Sequence, residues 1–535
     1  MSKVIGKLAT LLVLFLISDT LRVEAESCPV PQHPTFKVSI APELSSEPIS
    51  GRLVVMMSNQ LGSADKLAPS FGPDAHSVWV AAKEVDNLTP QRPANLDPDE
   101  LAYPDSFCNA PKGNYKIRAV LDVGHKFAYS YDASDGDLLG TIAEQNFNPA
   151  TNQTISLTLA ERKTSPPLQL PPRTELFDFV SPALSGFWGR SIHMRGAIVL
   201  PPDYSVGKDR YPTVYLTHGF GVDLKYLVEA TAPRVNKMME GKKIPKMIWV
   251  LLVEAFPTGT HEFADSVNNG PWGRALTTEL IPYLEKQYRM DARPSGRFLT
   301  GHSSGGWAAL WIQVRHPVFF GGTWPTAPDP SDFRSFTQTD LTKRPLPNFY
   351  RRDDGSPSML IRMGGRDRQS VEDLALQERV LGSYGGQLAS FEWVFSPRGK
   401  DGRPMPLFNR DTGKIDPQVA EYWEQHYDIA SILRENWKKI GPSLNGKIHL
   451  TVGTADTFHL DESARLLQQT VQALGGKASF TYLEGRSHFD LYQGGLLEQI
   501  AKEMYAVARP NGNSQSRRHS SSATAGGIQR TPPQR

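Results

Sequence analysis

The sequence predicts a chain of two domains, a small all-β domain followed by a larger α/β domain with a mostly parallel sheet. Three observations support this prediction. Hydrophobic residues alternate with polar ones over residues 28–162, short apolar runs alternate with helical patterns from about residue 174, and a proline-rich segment separates the two regions. Period-two alternation is typical of half-buried strands, and strand–helix alternation is typical of a doubly wound parallel sheet.

The composition is that of an ordinary globular protein, and it narrows the classes of function. Of 535 residues, 39% are hydrophobic and 21% are charged, and the formal net charge is +2. Proteins that bind nucleic acids usually carry a strongly basic face, so no nucleic-acid partner is expected. No metal-ligand spacing is present, and the expected chemistry needs no cofactor.

The first 25 residues predict a cleavable secretory signal peptide. Lys3 and Lys7 form a short basic region, Leu8–Ile17 is an apolar stretch too short to span a bilayer, and Val23-Glu24-Ala25 is a small-x-small cleavage pattern. An uncleaved anchor is the alternative interpretation. Cys28 lacks the residues expected before a lipidated cysteine. We therefore expect a secreted or periplasmic protein that does not span the membrane.

Cys28 and Cys108 are the only cysteines. In an exported chain one disulfide between them is the natural expectation, and two free buried thiols are the alternative. Neither cysteine accompanies a histidine-bearing motif, so neither is a candidate nucleophile.

Residues 26–162 predict an antiparallel, sandwich-like β domain, because turn-forming clusters separate short strands and no long amphipathic helix intervenes. The main strand candidates lie at Phe36–Ile40, Leu53–Met57, Tyr115–Val123 and Ile155–Leu159. Paired prolines mark residues 163–173 as a linker, since such pairs favour an extended chain.

Residues 174–509 predict the α/β domain. Its expected strands are Ala197–Leu200, Thr213–Thr217, Met247–Val253, Arg297–Thr300, Met359–Met363, Ile448–Val452 and Ser479–Leu483. Expected helices include Arg274–Tyr288, Trp307–Val314 and Ser463–Leu474. Residues 510–535 are rich in Ser, Gly, Pro, Gln and Arg without apolar periodicity, which predicts a disordered tail.

The motif Gly301-His-Ser-Ser-Gly305 lies between an expected strand and an expected helix. A nucleophilic serine in an α/β-hydrolase sits on such a strand–turn–helix elbow, and small residues two positions away let the strand and helix approach. Ser303 is therefore the predicted nucleophile, and the fold class is an α/β-hydrolase. Ser304 is the nearest competitor, but the glycine spacing centres on Ser303.

A serine hydroxyl needs a base, which in this fold comes last along the chain. His488 follows the last expected strand, within Glu484-Gly-Arg-Ser-His488. Its rivals are His218, His302 and His459. We predict that His488 is the base because the loops at these strand ends converge on the nucleophile.

The acid that orients the histidine should precede it by one strand and one helix. Asp456 follows the strand Ile448–Val452 and a glycine turn, and it lies 32 residues before His488. Asp367 follows an earlier strand candidate, and Asp461 lies where a helix-capping role is the simpler interpretation. We favour Asp456.

The segment His218-Gly-Phe-Gly221 ends an early strand, where glycines let a backbone N–H turn inward. It predicts one donor of an oxyanion hole, either the Phe220 or the Gly221 amide, and the other donor is expected to be the Ser304 amide. An ordinary strand-end turn is the alternative.

Together these motifs resemble the putative esterase family, which includes esterase D, feruloyl esterases, enterochelin esterases and mycolyltransferases. The resemblance spans roughly residues 180–505 and includes Phe187-Trp-Gly-Arg190 with Val199-Leu-Pro-Pro202, and Asn269-Gly-Pro-Trp272 with Glu279–Glu285. It implies hydrolysis of carboxylic esters without a cofactor, by Ser303, Asp456 and His488. The enterochelin esterases also carry an N-terminal β domain.

The sequence departs from the family between residues 364 and 446, where about 80 residues precede the strand that carries the acid. Its aromatic residues and helical patterns favour an ordered cap over the site, because long segments in compact domains are usually functional. No acyl or alcohol specificity is therefore carried over from the family.

The predicted function is that of a serine carboxylic-ester hydrolase acting on small-molecule or carbohydrate-linked esters through an acyl-enzyme. Two alternatives remain open from the sequence. The same triad serves an acyltransferase in which a sugar hydroxyl replaces water. A non-catalytic extracellular binding protein would instead use the β domain as its binding module.

Overall fold

The computed structural model describes residues 33–44, 47–60, 67–382 and 385–510. The predicted signal peptide (residues 1–25), Cys28 and the part of the predicted tail beyond residue 510 lie outside the described residues.

The N-terminal domain contains one nine-stranded sheet. Its strands are β1 (Thr35–Ile40), β2 (Ile49–Ser58), β3 (Trp79–Leu88), β4 (Ala94–Leu96), β5 (Ala102–Tyr103), β6 (Gly113–Asp122), β7 (Leu138–Gly140), β8 (Ala143–Phe147) and β9 (Thr154–Arg162). Their order in the sheet is β4-β1-β9-β7-β6-β2-β3-β5, and β8 pairs with β6. One helical turn, α1 (Phe127–Ser130), follows β6. The expectation of a wholly antiparallel domain is wrong at one place, since β1 and β9 pair in parallel.

Both faces of this sheet are buried, as the alternation along β2 shows. Leu53 and Val55 point into the core of the domain itself. Val54 and Met56 point to the opposite face, where they pack in a cluster that includes Val380 and Leu381 of the second domain. The β domain is therefore docked on the rest of the chain and is not a free module.

The second domain follows residues 163–173, which form neither helix nor strand. Its main sheet has eight strands: β10 (Thr174–Val180), β11 (His193–Val199), β12 (Thr213–Thr217), β13 (Ile248–Leu252), β18 (Arg297–His302), β19 (Gly322–Thr326), β22 (His449–Gly453) and β23 (Ser479–Leu483). Their order in the sheet is β10-β11-β13-β12-β18-β19-β22-β23. β10 and β11 are antiparallel to their neighbours and all later pairs are parallel. This is the α/β-hydrolase arrangement.

Three short hairpins lie outside this sheet: β14 (Ala255–Phe256) with β15 (Gly259–Thr260), β16 (Asp265–Ser266) with β17 (Gly270–Pro271), and β20 (Met359–Met363) with β21 (Arg366–Ser370). The helices are α2 (Pro182–Trp188), α3 (Leu224–Tyr226), α4 (Ala232–Glu240), α5 (Trp272–Ala275), α6 (Ile281–Gln287), α7 (Ser304–Arg315), α8 (Val371–Leu381), α9 (Gln387–Phe395), α10 (Pro417–His426), α11 (Ile429–Leu444), α12 (Leu460–Ala473) and α13 (Leu496–Ala508). π-helical turns join α3 to α4 and α5 to α6.

Alternating residues of the central strands feed two cores, one on each face of the sheet. In β13, Trp249 and Leu251 belong to one core and Val250 and Leu252 to the other, and all four are almost completely buried. Such double burial explains the continuous apolar runs in the sequence.

The expectation that Met359–Met363 is a strand of the main sheet is wrong. It pairs with β21 as a separate antiparallel hairpin. The strand after α7 is Gly322–Thr326 instead, and it lies between β18 and β22. Its glycine and proline weaken the strand signal in the sequence, because both residues are disfavoured inside strands.

The long segment between residues 364 and 446 contains β21 and four helices, α8 to α11. Helix α8 ends against the β domain. There the Arg52 side chain, only 5% exposed, donates hydrogen bonds to the carbonyls of Arg379 and Val380 at 2.7–3.0 Å. The segment therefore joins the two domains.

No helix within the described ranges is both long enough and apolar enough to cross a bilayer.

Candidate active site

Ser303 lies on a tight turn between β18 and α7, where its backbone has φ 60° and ψ −127°. A residue other than glycine rarely adopts a positive φ, so the surrounding structure must hold this conformation. The turn is fixed on both sides of the serine. Its amide donates to the Thr326 carbonyl at 3.1 Å, and its carbonyl accepts from the Asp329 amide at 3.2 Å. This is the expected geometry of a nucleophile elbow.

The two glycines of the motif are required by close approach. A Cβ on Gly305 would lie 2.6 Å from backbone atoms of Thr217 and His218 at the end of β12. A Cβ on Gly301 would lie 2.2 Å from the Thr217 Oγ1 and the Gly305 carbonyl oxygen. Helix α7 can therefore pack this closely on the strand ends only with glycine at both positions.

His488 and Asp456 are brought together on the loops that follow the last two strands. His488 Nδ1 and Asp456 Oδ2 are 2.9 Å apart, and the two side chains are 4% and 0% exposed. Asp456 Oδ1 also accepts hydrogen bonds from the amides of Phe458 (2.9 Å) and Leu460 (3.3 Å). Because carboxylates only accept, this pairing places the proton on Nδ1 of a neutral His488 and leaves Nε2 free to act as a base.

The electrostatics of Asp456 favour its ionised form. Burial alone would raise the pKa of this carboxyl, but His488 and the two backbone amides outweigh burial, so the pKa falls below its usual value. A buried carboxylate that stays ionised can hold the histidine ring in one orientation and stabilise its protonated form.

The rival histidines have other partners. His302 Nδ1 lies 3.2 Å from Thr326 Oγ1, and burial followed by repulsion from His488 lowers the pKa of His302 to about 3. His459 Nδ1 lies 2.8 Å from Gln338 Nε2, with Asp367 3.9 Å from its other ring nitrogen.

The rival acids are also accounted for. Asp461 forms an ion pair with Arg362 at 2.9 Å, and Arg362 also donates to the Asp456 carbonyl at 2.9 Å. Asp461 therefore helps to brace the loop that carries Asp456, and Asp367 faces His459.

The site also contains Asp329, a residue that the sequence motifs do not indicate. Asp329, 5% exposed, accepts hydrogen bonds from the hydroxyls of Ser304 (2.6 Å) and Ser303 (3.4 Å). Burial raises the pKa of this carboxyl to about 6. Asp329 lies three residues after the end of β19, and only recognition of that strand would have made Asp329 a candidate.

The segment Gly219–Val222, which we call the glycine loop, runs beside the serine. A Cβ on Gly219 would lie 3.1 Å from Ser303 Cβ. Among the described residues the amides of Phe220 and Ser304 have no hydrogen-bond acceptor. These two free donors, on either side of the serine, are the elements from which an oxyanion hole is built.

His218 orients the glycine loop. Its Nε2 accepts a hydrogen bond from the Glu254 amide (2.7 Å), so its Nδ1 carries the proton and donates to the Gly219 carbonyl (2.8 Å). Burial lowers the pKa of His218 to about 4, which keeps this neutral tautomer. Because a trans peptide is planar, turning the Gly219 carbonyl toward His218 turns the Phe220 N–H the opposite way.

Two further buried acids lie near the serine. Glu254 Oε1 accepts from the His218 amide at 2.8 Å, while Glu254 Oε2 and both carboxyl oxygens of Glu262 have no partner among the described residues. Burial raises the pKa of both glutamates well above the usual value, which favours their neutral form.

Outside this site, the described residues bring one set of potential metal ligands together: His33, Asp97 and Asp99 in the β domain. His33 Nε2 is already paired with Asp97 Oδ2 at 2.9 Å. The serine site itself contains no such cluster among the described residues.

Cys108 is disulfide-bonded. The only other cysteine in the sequence is Cys28, which lies outside the described residues.

Comparison with known proteins finds esterases. The family model described as "Putative esterase" matches residues 190–498. An esterase of Mycobacterium tuberculosis is 28% identical over 151 residues, which cover 27% of this chain and 30% of that protein. An endo-1,4-β-xylanase/feruloyl esterase of Xylanibacter ruminicola is 29% identical over 147 residues, 25% of this chain and 20% of that protein. The matches thus span less than a third of these relatives.

Among solved structures, a ferulic acid esterase matches with a TM-score of 0.38 and 16% identity, covering 62% of this chain and 98% of its own. An S-formylglutathione hydrolase from Staphylococcus aureus matches with a TM-score of 0.38 and 12% identity over the same shares.

Proposed function

We propose, from the premise that this chain belongs to the putative esterase family, that it hydrolyses carboxylic esters through a triad of Ser303, His488 and Asp456. As a member of that family the chain is an esterase. The observation that carries the finer assignment is the buried His488–Asp456 pair at 2.9 Å, on loops that follow the strand ends next to the Ser303 elbow.

The reaction proceeds in two steps. His488 Nε2 takes the hydroxyl proton as Ser303 Oγ attacks the ester carbonyl, and the same nitrogen then gives the proton to the departing alcohol. Water repeats the sequence on the acyl-enzyme and releases the acid. Ser303 Oγ donates to Asp329 in the free enzyme, so attack requires this hydroxyl to rotate from Asp329 to His488.

The negative charge that develops on the carbonyl oxygen needs donors that are already in place. The Ser304 and Phe220 amides are free and flank the serine, and the bond from His218 to the Gly219 carbonyl holds the Phe220 peptide in one orientation. Preorganised backbone donors contribute more to such reactions than groups that must reorient during the step.

The assignment of the nucleophile is tested by a fluorophosphonate probe and by hydrolysis of p-nitrophenyl acetate. Ser303→Ala should abolish both labelling and turnover. Ser304→Ala is the matched variant, because it removes the neighbouring hydroxyl and keeps the backbone amide, and it should still be labelled. Labelling that survives in Ser303→Ala and disappears in Ser304→Ala would reassign the nucleophile.

The substrate class that we propose is an ester with a flat apolar group on the alcohol side. His488 protonates the departing alcohol, so that alcohol must lie on its side of the serine. There the rings of Phe458 and Phe489 lie 4.9 and 5.4 Å from the His488 ring, and Phe489 is 61% exposed. Flat rings stack favourably on exposed aromatic side chains. Small-molecule esters of aromatic alcohols offer such a group.

Benzyl acetate and cyclohexylmethyl acetate test this preference, since their alcohols are alike except for the flatness of the ring. We expect a higher kcat/KM for the benzyl ester and a reduced preference in Phe489→Ala. Equal values for the two esters in the wild-type protein would contradict the proposal.

We also propose that the protein is exported. The disulfide of Cys108 supports this, because disulfides persist in oxidising compartments. Expression in a bacterial host followed by fractionation and N-terminal sequencing should recover a chain that begins near residue 26. An intact first residue on the recovered protein would contradict cleavage.

A further inference from the structure

The turn α1 (Phe127–Ser130) of the β domain reaches the glycine loop beside the nucleophile. Tyr129 Oη donates a hydrogen bond to the Val222 carbonyl at 2.8 Å. The Tyr129 ring packs edge-on against the Phe220 ring, with centroids 4.7 Å apart. The Gly221 amide lies near enough to the Tyr129 hydroxyl to lower the pKa of that hydroxyl, although the larger effect of burial raises it. One side chain from the β domain thus contacts three consecutive residues of the loop.

The turn that presents Tyr129 is itself fixed. Asp122, 1% exposed, accepts hydrogen bonds from the amides of Lys126 (3.0 Å) and Phe127 (2.9 Å). Phe127 is buried in the cluster that also holds Val380 of α8. Burial raises the pKa of Tyr129 well above its usual value, so its hydroxyl remains a donor at physiological pH. Tyr129 therefore acts from a rigid support.

The glycine loop needs such a support because its own residues provide little. Gly219 and Gly221 have no side chains to pack, and Gly221 has φ +81°. His218 holds one end of the loop through the Gly219 carbonyl, and Tyr129 holds the other end through the Val222 carbonyl. The Phe220 amide lies between these two fixed points.

We propose that Tyr129 is a positioning residue for the oxyanion hole, so that the β domain is a working part of the active site. The inference rests on the proposed function. Tyr129 holds the Phe220 peptide at the orientation in which its amide receives the carbonyl oxygen. Of the two amides of the loop, we assign the donor role to Phe220, because its peptide lies between the two fixed carbonyls of Gly219 and Val222.

Tyr129→Phe tests this, because it keeps the ring against Phe220 and deletes only the hydroxyl. Tyr115→Phe is the matched control. It removes a hydroxyl that donates to the Pro111 carbonyl at 2.7 Å, from a residue in the β domain's own core. Loss of a whole oxyanion donor costs about 10²–10³ in kcat, and a donor that is only misplaced should cost about a tenth of that.

For Tyr129→Phe we therefore expect kcat for p-nitrophenyl acetate to fall about tenfold while KM changes less than about twofold, the pattern of an interaction made in the transition state. Affinity for a trifluoromethyl ketone, whose adduct carries the oxyanion, should fall by the same factor. Tyr115→Phe should match the wild type in kcat and in ketone affinity. A folded Tyr129→Phe enzyme with wild-type kcat, or with a raised KM alone, overturns the inference.

If Tyr129→Phe does not fold, Phe220→Leu removes the ring contact from the other side and keeps the Phe220-position amide. It should show the same loss of kcat and ketone affinity, and wild-type values would overturn the inference. The proposed function is judged separately by Ser303→Ala. An inactive Ser303→Ala together with a fully active Tyr129→Phe refutes only the role of Tyr129, whereas an active Ser303→Ala refutes the triad.

Discussion

Asp329 is a buried carboxyl group beside the nucleophile, and Asp329→Asn gives a prediction that is independent of activity. Burial raises the pKa of Asp329 from 3.8 to about 6. One pKa unit corresponds to about 1.4 kcal/mol, so ionisation of Asp329 lowers the free energy of unfolding by about 3 kcal/mol. Because the raised pKa favours the protonated form in the folded state, this loss of stability is absent below about pH 4. It grows as the pH rises, and it is complete above about pH 6.

Asparagine avoids this cost. It is neutral at every pH, and its carbonyl oxygen can still accept the hydrogen bond that Ser304 donates at 2.6 Å in the wild type. The melting temperature of Asp329→Asn relative to wild type should therefore increase between pH 4 and pH 7.5. With an unfolding entropy of about 2.1 cal/mol/K per residue, about 3 kcal/mol corresponds to about 3 °C for a chain of this size.

Thermal unfolding of both proteins in the same buffers at pH 4, 5, 6 and 7.5 measures this difference. Asp86→Asn is the control, since Asp86 is exposed and its side chain has no hydrogen bond or ion pair among the described residues, so its substitution should change the melting temperature much less across this pH range. A constant difference for Asp329→Asn across this range, or one that decreases with pH, would refute the electrostatic reasoning.

Three further substitutions test the site and its support. Asp456→Asn should lower kcat about 10⁴-fold with little change in KM, because an amide that donates to Nδ1 reverses the tautomer of His488. A loss below about tenfold in p-nitrophenyl acetate turnover would contradict the triad. Gly305→Ala should lower the unfolding free energy by about 1–3 kcal/mol, since the new Cβ meets backbone at 2.6 Å. Gly186→Ala, inside helix α2, places a Cβ that meets nothing within 4 Å, so urea unfolding should show no loss of stability. Phe71→Ala should lower kcat/KM about fivefold in a folded protein. It removes ring contacts of about 1 kcal/mol to Phe458 and Phe489, which lie on the loops of the acid and the histidine. An unchanged kcat/KM would contradict this.

The elbow was predictable from the sequence because its packing requirements leave a short motif of glycines around one serine. The contacts of Gly301 and Gly305 show that backbone packs where any side chain would stand. The expected order of serine, acid and histidine along the chain predicts Asp456 and His488 as partners, and in the structure His488 Nδ1 and Asp456 Oδ2 are 2.9 Å apart.

The strand after α7 was not predictable in this way. Gly322–Thr326 lies between two parallel partners in the sheet, yet it contains a glycine and a proline, while Met359–Met363 is more apolar and lies outside the sheet. Burial by tertiary packing, and not local propensity, decides which segment joins a sheet. Asp329 was missed for the same reason, since it follows the unrecognised strand.

Tyr129 shows a different limit. Its bond to Val222 joins residues 93 positions apart in two domains, and nothing in the local sequence around either residue signals the contact. The sequence predicts a β domain before the α/β domain but leaves open whether it is a separate binding module, because period-two patterns identify strands and not what the second face of the sheet packs against.

This chain departs from a plain α/β-hydrolase in two places, the β domain and the long segment before β22. These two parts pack against each other. Val380 and Leu381 of α8 are 0% and 1% exposed in a cluster with residues of the β domain, and Arg52 of that domain donates to the Val380 carbonyl at 2.7 Å. A chain that begins at residue 163 would expose this apolar surface and would also lose Tyr129. We expect it to aggregate in size-exclusion chromatography, and any monomer that remains should turn over p-nitrophenyl acetate with the reduced kcat of Tyr129→Phe. A stable, fully active monomer would instead mean that the β domain is an independent module, and the interface described here would have no role in stability or catalysis.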